Sequence, residues 1–206
     1  MKQIILGASA MAAIVLASNI LVQFPIGNWL TWGAFSYPLA FLVTDLVNRF
    51  HGPSAARRVV LVGLVVGLIA SAIGTQVMGE FGPLVTIRVA IASATAFFLG
   101  QLLDIAVFNR LRSAAWWRAP FVSTFAGSAL DTAVFFTLAF SAAFIWVSPA
   151  TDVTWALAPV PLLGAGPEVP LWVSLALADF AVKILVDLCA LLPFRLAVAK
   201  YQSNLV

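Results

Sequence analysis

The chain has 206 residues, 63% of them hydrophobic and 9% charged, with a formal net charge of +3 and a mean hydropathy of +1.06. A soluble domain is about 45–50% apolar and about 25% charged, so this composition cannot wrap a polar surface around one core. It excludes a soluble catalytic domain and points to an all-α membrane protein made as a single domain, 1–206.

Apolar runs of spanning length lie at 4–24, 31–48, 59–78, 84–109, 119–147 and 170–194, which predicts a six-transmembrane-helix bundle. The first run follows Lys2 and contains the small residues Ala8, Ser9 and Ala10, as a signal peptide would. It continues to Phe24, beyond the roughly 7–15 residues of a signal-peptide core, and reads as a retained helix. Asn19 and Gln23 lie near its outer end at i,i+4. The second run carries Asp45 and Arg49, again at i,i+4 on one helix face. In the third, Gly63 and Gly67 have G-x-x-x-G spacing, which suits a neighbouring helix or a second copy and leaves a homo-oligomer open.

The fourth run begins near Arg88, passes Phe97, and places Gln101 and Asp104 at i,i+3 beside Gly100, where another backbone could approach closely. The fifth groups Gly127, Ser128 and Asp131, with Phe135 one turn on. Segment 148–170 holds Pro149, Pro159, Pro161, Pro167 and Pro170 and predicts an irregular surface loop, not a further span. Its apolar stretch, Trp155 to Gly164, suits either the membrane surface or a lid over an outer opening. The sixth run sets Asp179, Lys183 and Asp187 at i, i+4 and i+8, on one face.

Charge orients the runs. Lys2, Arg49, Arg57, Arg58, Arg110, Arg112, Arg118, Arg195 and Lys200 all fall in segments on one side of the six-run arrangement. The opposite segments carry Glu80, Asp152 and Glu168, with Arg88 just inside a run. The positive-inside rule then predicts both termini in the cytoplasm. The net charge is thereby topology, and nucleic acid is not an expected partner. The tryptophans agree: Trp29, Trp32, Trp146, Trp155 and Trp172 fall at outer ends and Trp116 with Trp117 at an inner one, the headgroup level their rings prefer.

Asp45, Asp104, Asp131, Asp179 and Asp187 lie inside the runs, five of the eight acids. A charge at the bilayer centre costs about 2.5–3.5 kcal/mol, so these groups must face partners or a water-filled cavity. Depth separates them at about 1.5 Å per residue. Asp131, Asp179 and Lys183 fall near the midplane, where a substrate or proton role stands beside that of a structural ion pair. Asp45, Asp104 and Asp187, with Arg49, fall in the inner third and suit a structural ring or a cytoplasmic gate. No cofactor or metal is expected, since His51 is the lone histidine, Cys189 the single cysteine, and no Walker A, HExxH or G-x-S-x-G motif occurs.

Asn19-Ile-Leu-Val-Gln23-Phe-Pro25, Thr31-Trp-Gly-Ala-Phe-Ser-Tyr-Pro38 and Thr44-Asp45-Leu46 resemble the start of the vitamin-uptake-transporter-like family, which includes bacterial queuosine precursor transporters. The likeness continues through Arg88 to Ser93, Gly100-Gln-Leu-Leu-Asp104, Val107 to Arg112, Trp116 to Pro120, Gly127 to Thr132, and Asp179 with Lys183 before Leu192-Pro193. It implies an inner-membrane importer of 7-cyano-7-deazaguanine or 7-aminomethyl-7-deazaguanine for queuosine salvage, not an enzyme. The long outer loop and short amino terminus depart from the family pattern. A deazaguanine presents N1–H and an amino group to a carboxylate, and a carbonyl that needs a donor. Asp131 or Asp179 would accept from that edge, Gln101, Asn19 or Lys183 would donate to the carbonyl, and Phe97 or Phe135 would stack. Gln23 and Arg88 complete the expected substrate-facing set. The alternative is a substrate-binding membrane subunit that needs a separate energising partner.

Overall fold

The structure is a computed structural model that describes residues 2–80 and 82–203; the Lys2 side chain, used above for orientation, lies outside the described atoms. Helix α1 (Lys2–Leu21) is followed by the paired strands β1 (Pro25–Ile26) and β2 (Leu30–Thr31), then α2 (Gly33–Ser36) and α3 (Leu39–His51). Helix α4 (Pro53–Gly74), strands β3 (Met78–Gly79) and β4 (Gly82–Pro83), α5 (Ile87–Leu111) and α6 (Arg118–Phe140) come next. A 3₁₀ turn at Ala142–Val147, α7 (Thr154–Leu157), and strands β5 (Pro159–Pro161) and β6 (Glu168–Pro170) lead into α8 (Leu171–Ser203).

Local chemistry sets these boundaries. Gly52, at φ 80°, ends α3 in a conformation that disfavours a Cβ, and Pro53 starts α4 where its missing N–H costs nothing. Thr86 caps α5 by accepting a 3.2 Å hydrogen bond from the Val89 amide. Helix α6 stops at Phe140, short of the expected 147, because Ser141 turns extended and its hydroxyl accepts from the Ala143 amide.

The six-span expectation is corrected to four. Among the described residues, the helices long and apolar enough to cross a membrane are Gln3–Leu21, Pro53–Gly74, Ile87–Leu111 and Arg118–Phe140. The run 31–48 is broken at Tyr37–Pro38, since proline cannot donate back along the ladder. Its longer piece, α3, has 13 residues, or about 20 Å at 1.5 Å per residue, against a core of about 30 Å. The run 170–194 is helical within α8, but Asp179, Lys183 and Asp187 deny it an apolar stretch of spanning length.

Packing accounts for both exceptions. Helix α3 touches α1, α4, α5, α6 and α8, so Thr44, Asp45 and Asn48 meet protein and not lipid. Helix α8 turns its charges toward α6. Leu61, Val65, Leu68, Ile69 and Ile73 of α4 are exposed, as are Ile5, Leu6 and Leu16 of α1. The molecule is apolar outside and polar within, as lipid as solvent requires.

Helices α5 and α6 pack along their length, and two glycines permit it. A Cβ on Gly127 would lie 2.9 Å from the Gly100 carbonyl oxygen and 2.8 Å from the Phe41 ring. A Cβ on Gly100 would lie 3.0 Å from the Gly127 oxygen. The close approach expected at Gly100 is therefore made by α6. Gly63 and Gly67 receive Met11 and Val15 of α1.

The proline-containing segment 148–170 forms no span, as expected, and the loop holds short regular elements. Asp152 Oδ1 accepts from the Thr154 amide (2.8 Å) and hydroxyl (2.7 Å), which starts α7 and holds the Asp152 carboxyl below its ordinary value. Strands β5 and β6 pair antiparallel, and Leu163 takes a left-handed φ of 51° in the turn between them. Its amide donates to Ser174 Oγ of α8 at 3.2 Å. Trp155 and Phe140 meet edge to face, with centroids 5.4 Å apart, at the C-terminal end of α6.

Candidate functional site

Lys183 of α8 is the hub of the central cluster. Its Nζ lies 2.7 Å from Asp131 Oδ2 of α6 and 2.6 Å from Asp179 Oδ2 one turn back on α8. It also donates to Thr132 Oγ1 at 2.9 Å, and that hydroxyl donates onward to Asp179 Oδ2 at 3.1 Å. The other oxygen of Asp131, Oδ1, accepts from the Tyr37 hydroxyl at 2.9 Å. Tyr37 stands at the proline break between α2 and α3, its ring 5.3 Å from Lys183 Nζ and edge-on to Phe97 with centroids 6.1 Å apart. The pieces come from the break, α5, α6 and α8, and the centre is closed: the Lys183 and Asp131 side chains are 5% and 4% exposed.

Two carboxylates share one ammonium in this centre. Each partner is anchored: Asp131 by both oxygens, Lys183 by three acceptors. Such a network holds its geometry while satisfied, and any group that enters must replace a partner.

The inner carboxylates have a different environment. The Thr124 hydroxyl of α6 lies 3.2 Å from Asp45 Oδ2 and 3.4 Å from Asp104 Oδ1, and Ser123 Oγ lies 3.4 Å from Asp45 Oδ1. Asp187 meets the Ser128 hydroxyl at 3.4 Å. Asp104 Oδ2 is buried without a partner, and among the described residues no cation forms a salt bridge with Asp45, Asp104 or Asp187. Arg49 turns away, donating to the Arg112 carbonyl at 3.0 Å, so the i,i+4 spacing from Asp45 does not close.

The remaining expected residues scatter. Phe97 borders the centre through Tyr37. Gln101 is buried beside the inner carboxylates, its Oε1 accepting from Thr44 at 2.5 Å while its Nε2 has no partner. Asn19 donates to the Val15 carbonyl of its own helix and, with Tyr37, Phe97 and Ser71, lines a cavity of about 20 Å³. Gln23 reaches the Leu84 carbonyl at 3.4 Å, tying the ends of two hairpin connections. Arg88 donates to the Leu138 and Ser141 carbonyls at 2.7 and 2.5 Å and closes the C-terminus of α6. Phe135 packs edge-on against Phe136 and Phe140. Among the described residues, no group of three or more His, Cys, Asp or Glu side chains could hold a metal.

Ser123 and Thr124 were not singled out in the sequence, and Tyr37, Thr44 and Thr132 stood there only inside motif blocks, with no role assigned. A signal existed for those on α6: Ser123, Thr124, Gly127, Ser128, Asp131 and Thr132 repeat at helical spacing, a polar stripe on one face. Tyr37 carried the hint of its motif block and of the proline that follows it.

A lipid-facing apolar shell around a charged, closed interior assembled partly at a broken helix is the layout of a multi-pass membrane transporter. The chain belongs to the vitamin-uptake-transporter family: residues 31–198 match the family described as "Putative vitamin uptake transporter". It is accordingly a transporter and not an enzyme. It is similar to the queuosine precursor transporter of Escherichia coli (strain K12), with 38% identity over 194 residues, 87% of this chain and 79% of that protein. It is also similar to the "Probable queuosine precursor transporter" of Haemophilus influenzae (strain ATCC 51907 / DSM 11121 / KW20 / Rd), with 38% identity over 154 residues, 62% of this chain and 65% of the relative. No solved structure matches.

Proposed function

We propose that this protein imports queuosine precursors, 7-cyano-7-deazaguanine or 7-aminomethyl-7-deazaguanine, across the bacterial inner membrane for queuosine salvage. It acts as one transporter domain with both termini in the cytoplasm, by a secondary or facilitated mechanism. The observation that carries the reading is Asp131, held by Tyr37 on one oxygen and Lys183 on the other.

The geometry supports an exchange. Tyr37 O–H and Lys183 N–H stand where the N1–H and amino group of a deazaguanine edge would bind a carboxylate as a pair. A substrate that takes over Asp131 frees Lys183 to donate to the substrate carbonyl while Asp179 keeps its charge compensated. Phe97, beside Tyr37, offers an aromatic face, and the Pro38 break lets Tyr37 withdraw without unwinding α3. Asn19 lines a small cavity with Tyr37 and Phe97.

The inner carboxylates support proton coupling. Two hydroxyls, those of Ser123 and Thr124, reach three of the four oxygens of Asp45 and Asp104, and two carboxylates that share one hydroxyl cannot both ionise cheaply. A proton shared by this pair would serve as the coupling ion, a role less suited to Asp131 and Asp179, which Lys183 already bridges.

Uptake of labelled 7-cyano-7-deazaguanine into liposomes holding this chain alone tests the reading, with guanine and biotin as competitors. Asp131→Asn and Asp179→Asn proteins that assemble should lose uptake at least tenfold. Normal uptake by both variants removes the site assignment, and dependence on a second protein removes the stand-alone carrier.

A further inference from the structure

A cavity of about 250 Å³ opens at the end of the bundle that carries the basic connections, far from Lys183. Arg49 at the end of α3, Arg112 just past α5 and Arg195 in α8 line it, with Trp116 and Phe194 at its sides. Among the described residues none of these three arginines forms a salt bridge. Three positive groups around one cavity with no carboxylate is an unbalanced arrangement. Burial, and then the charge of Arg49, hold the Arg112 guanidinium below its ordinary range.

The arginines are also fixed in place. Arg112 donates from Nη1 to the Arg49 carbonyl (3.2 Å) and from Nη2 to the Asn48 carbonyl (2.6 Å) and Asn48 Oδ1 (2.9 Å), while Arg49 donates back to the Arg112 carbonyl (3.0 Å). Of roughly five N–H groups on each guanidinium, most of those of Arg49 and part of those of Arg112 stay available. Arg195 lies over the Trp116 ring at 4.9 Å and donates to no protein acceptor among the described residues. Trp116 is 46% exposed, at the level where indole rings meet headgroups.

We propose that this pocket binds a phosphate oxyanion, gripped by Arg49, Arg112 and Arg195. A guanidinium fork matches two phosphate oxygens, and prior locking of Arg49 and Arg112 lowers the entropy cost of binding. The phosphate of an anionic lipid and free inorganic phosphate share this chemistry. The exposed ring of Trp116 at the pocket's side favours the lipid, whose acyl chains would continue along the bundle. This inference does not depend on the transported substrate.

Native mass spectrometry of the purified chain, with added phosphatidylglycerol, phosphatidylcholine or inorganic phosphate, tests it. A lipid source predicts retention of phosphatidylglycerol over phosphatidylcholine, reduced at least tenfold by Arg195→Gln, partly restored by Arg195→Lys and unchanged by Arg110→Gln on the same face. A solute source predicts that inorganic phosphate, and not chloride at equal ionic strength, raises the melting temperature in wild type and not in Arg195→Gln. Equal loss in Arg110→Gln, or no selective binding of either anion, overturns the proposal. The Arg195 variants leave the tie between α3 and α5 intact, so misfolding does not mask the outcome.

Discussion

Two buried acidic regions lie one above the other along α6, and they solve the same problem differently. At Asp131 and Asp179 an ammonium from α8 sits between the carboxylates at 2.7 and 2.6 Å. At Asp45 and Asp104 the shared neighbour is the Thr124 hydroxyl, at 3.2 and 3.4 Å. The first region is compensated by a fixed cation and changes only when a partner is displaced. Among the described residues no cation forms a salt bridge with the second, and under the proposed coupling it changes with the location of a proton. Displacement of a partner suits a solute, whereas movement of a proton suits a coupling ion, so one helix face holds two kinds of site.

Lys183→Met breaks the contrast most severely. It leaves two buried carboxylates without their cation, and losing one member of a buried pair costs about 3–5 kcal/mol. Unfolding in mixed micelles should show that loss, with uptake abolished; wild-type stability would mean that Lys183 does not hold the two helices. Gly127→Val comes next. Its side chain meets the Gly100 carbonyl and Phe41, overpacking costs about 1–3 kcal/mol, and both acidic regions shift because α5 and α6 separate. The same micelle assay reads it, and a neutral result contradicts the close approach.

Asp104→Asn sharpens the contrast from the other side. Under the proposed sharing of a proton the pair tolerates a neutral isostere, so stability should change by about 1 kcal/mol or less, while uptake driven by a pH gradient falls to the level of passive exchange. A loss of stability as large as that of Lys183→Met would erase the distinction between the regions. Gln23→Ala is the smallest change. Its long bond to Leu84 lies at the outer connections, away from both regions, so stability should move by about 0.5 kcal/mol or less and the uptake KM should stay constant.

Much of this site was legible in the sequence because intramembrane charge is costly and therefore conspicuous. Asp131, Asp179 and Lys183 stood out, and they do meet. Arg88 and Gln23 stood out for the same reason yet bind backbone carbonyls, since a polar residue near a helix end satisfies loose main-chain groups as readily as a solute. Tyr37 and Thr132 were hidden because hydroxyls are cheap to bury and carry no charge to flag them.

The span count failed for a related reason. Hydropathy treats every long helix as facing lipid, whereas α3 is ringed by protein and α8 presents charges to α6. An element shielded by neighbours need not be long or apolar, and sequence does not state which elements are shielded.

Composition, the positions of its few charges and the motif blocks determined by themselves that this is a helical membrane protein of the vitamin-uptake-transporter family with a polar interior. Those features are local, written residue by residue. Tertiary structure decided which acids share a cation and which share only a hydroxyl, because that depends on distances between helices that are remote in sequence. The glycine contact of α5 with α6 and the proline break before α3 set those distances, and with them the difference between the two acidic regions.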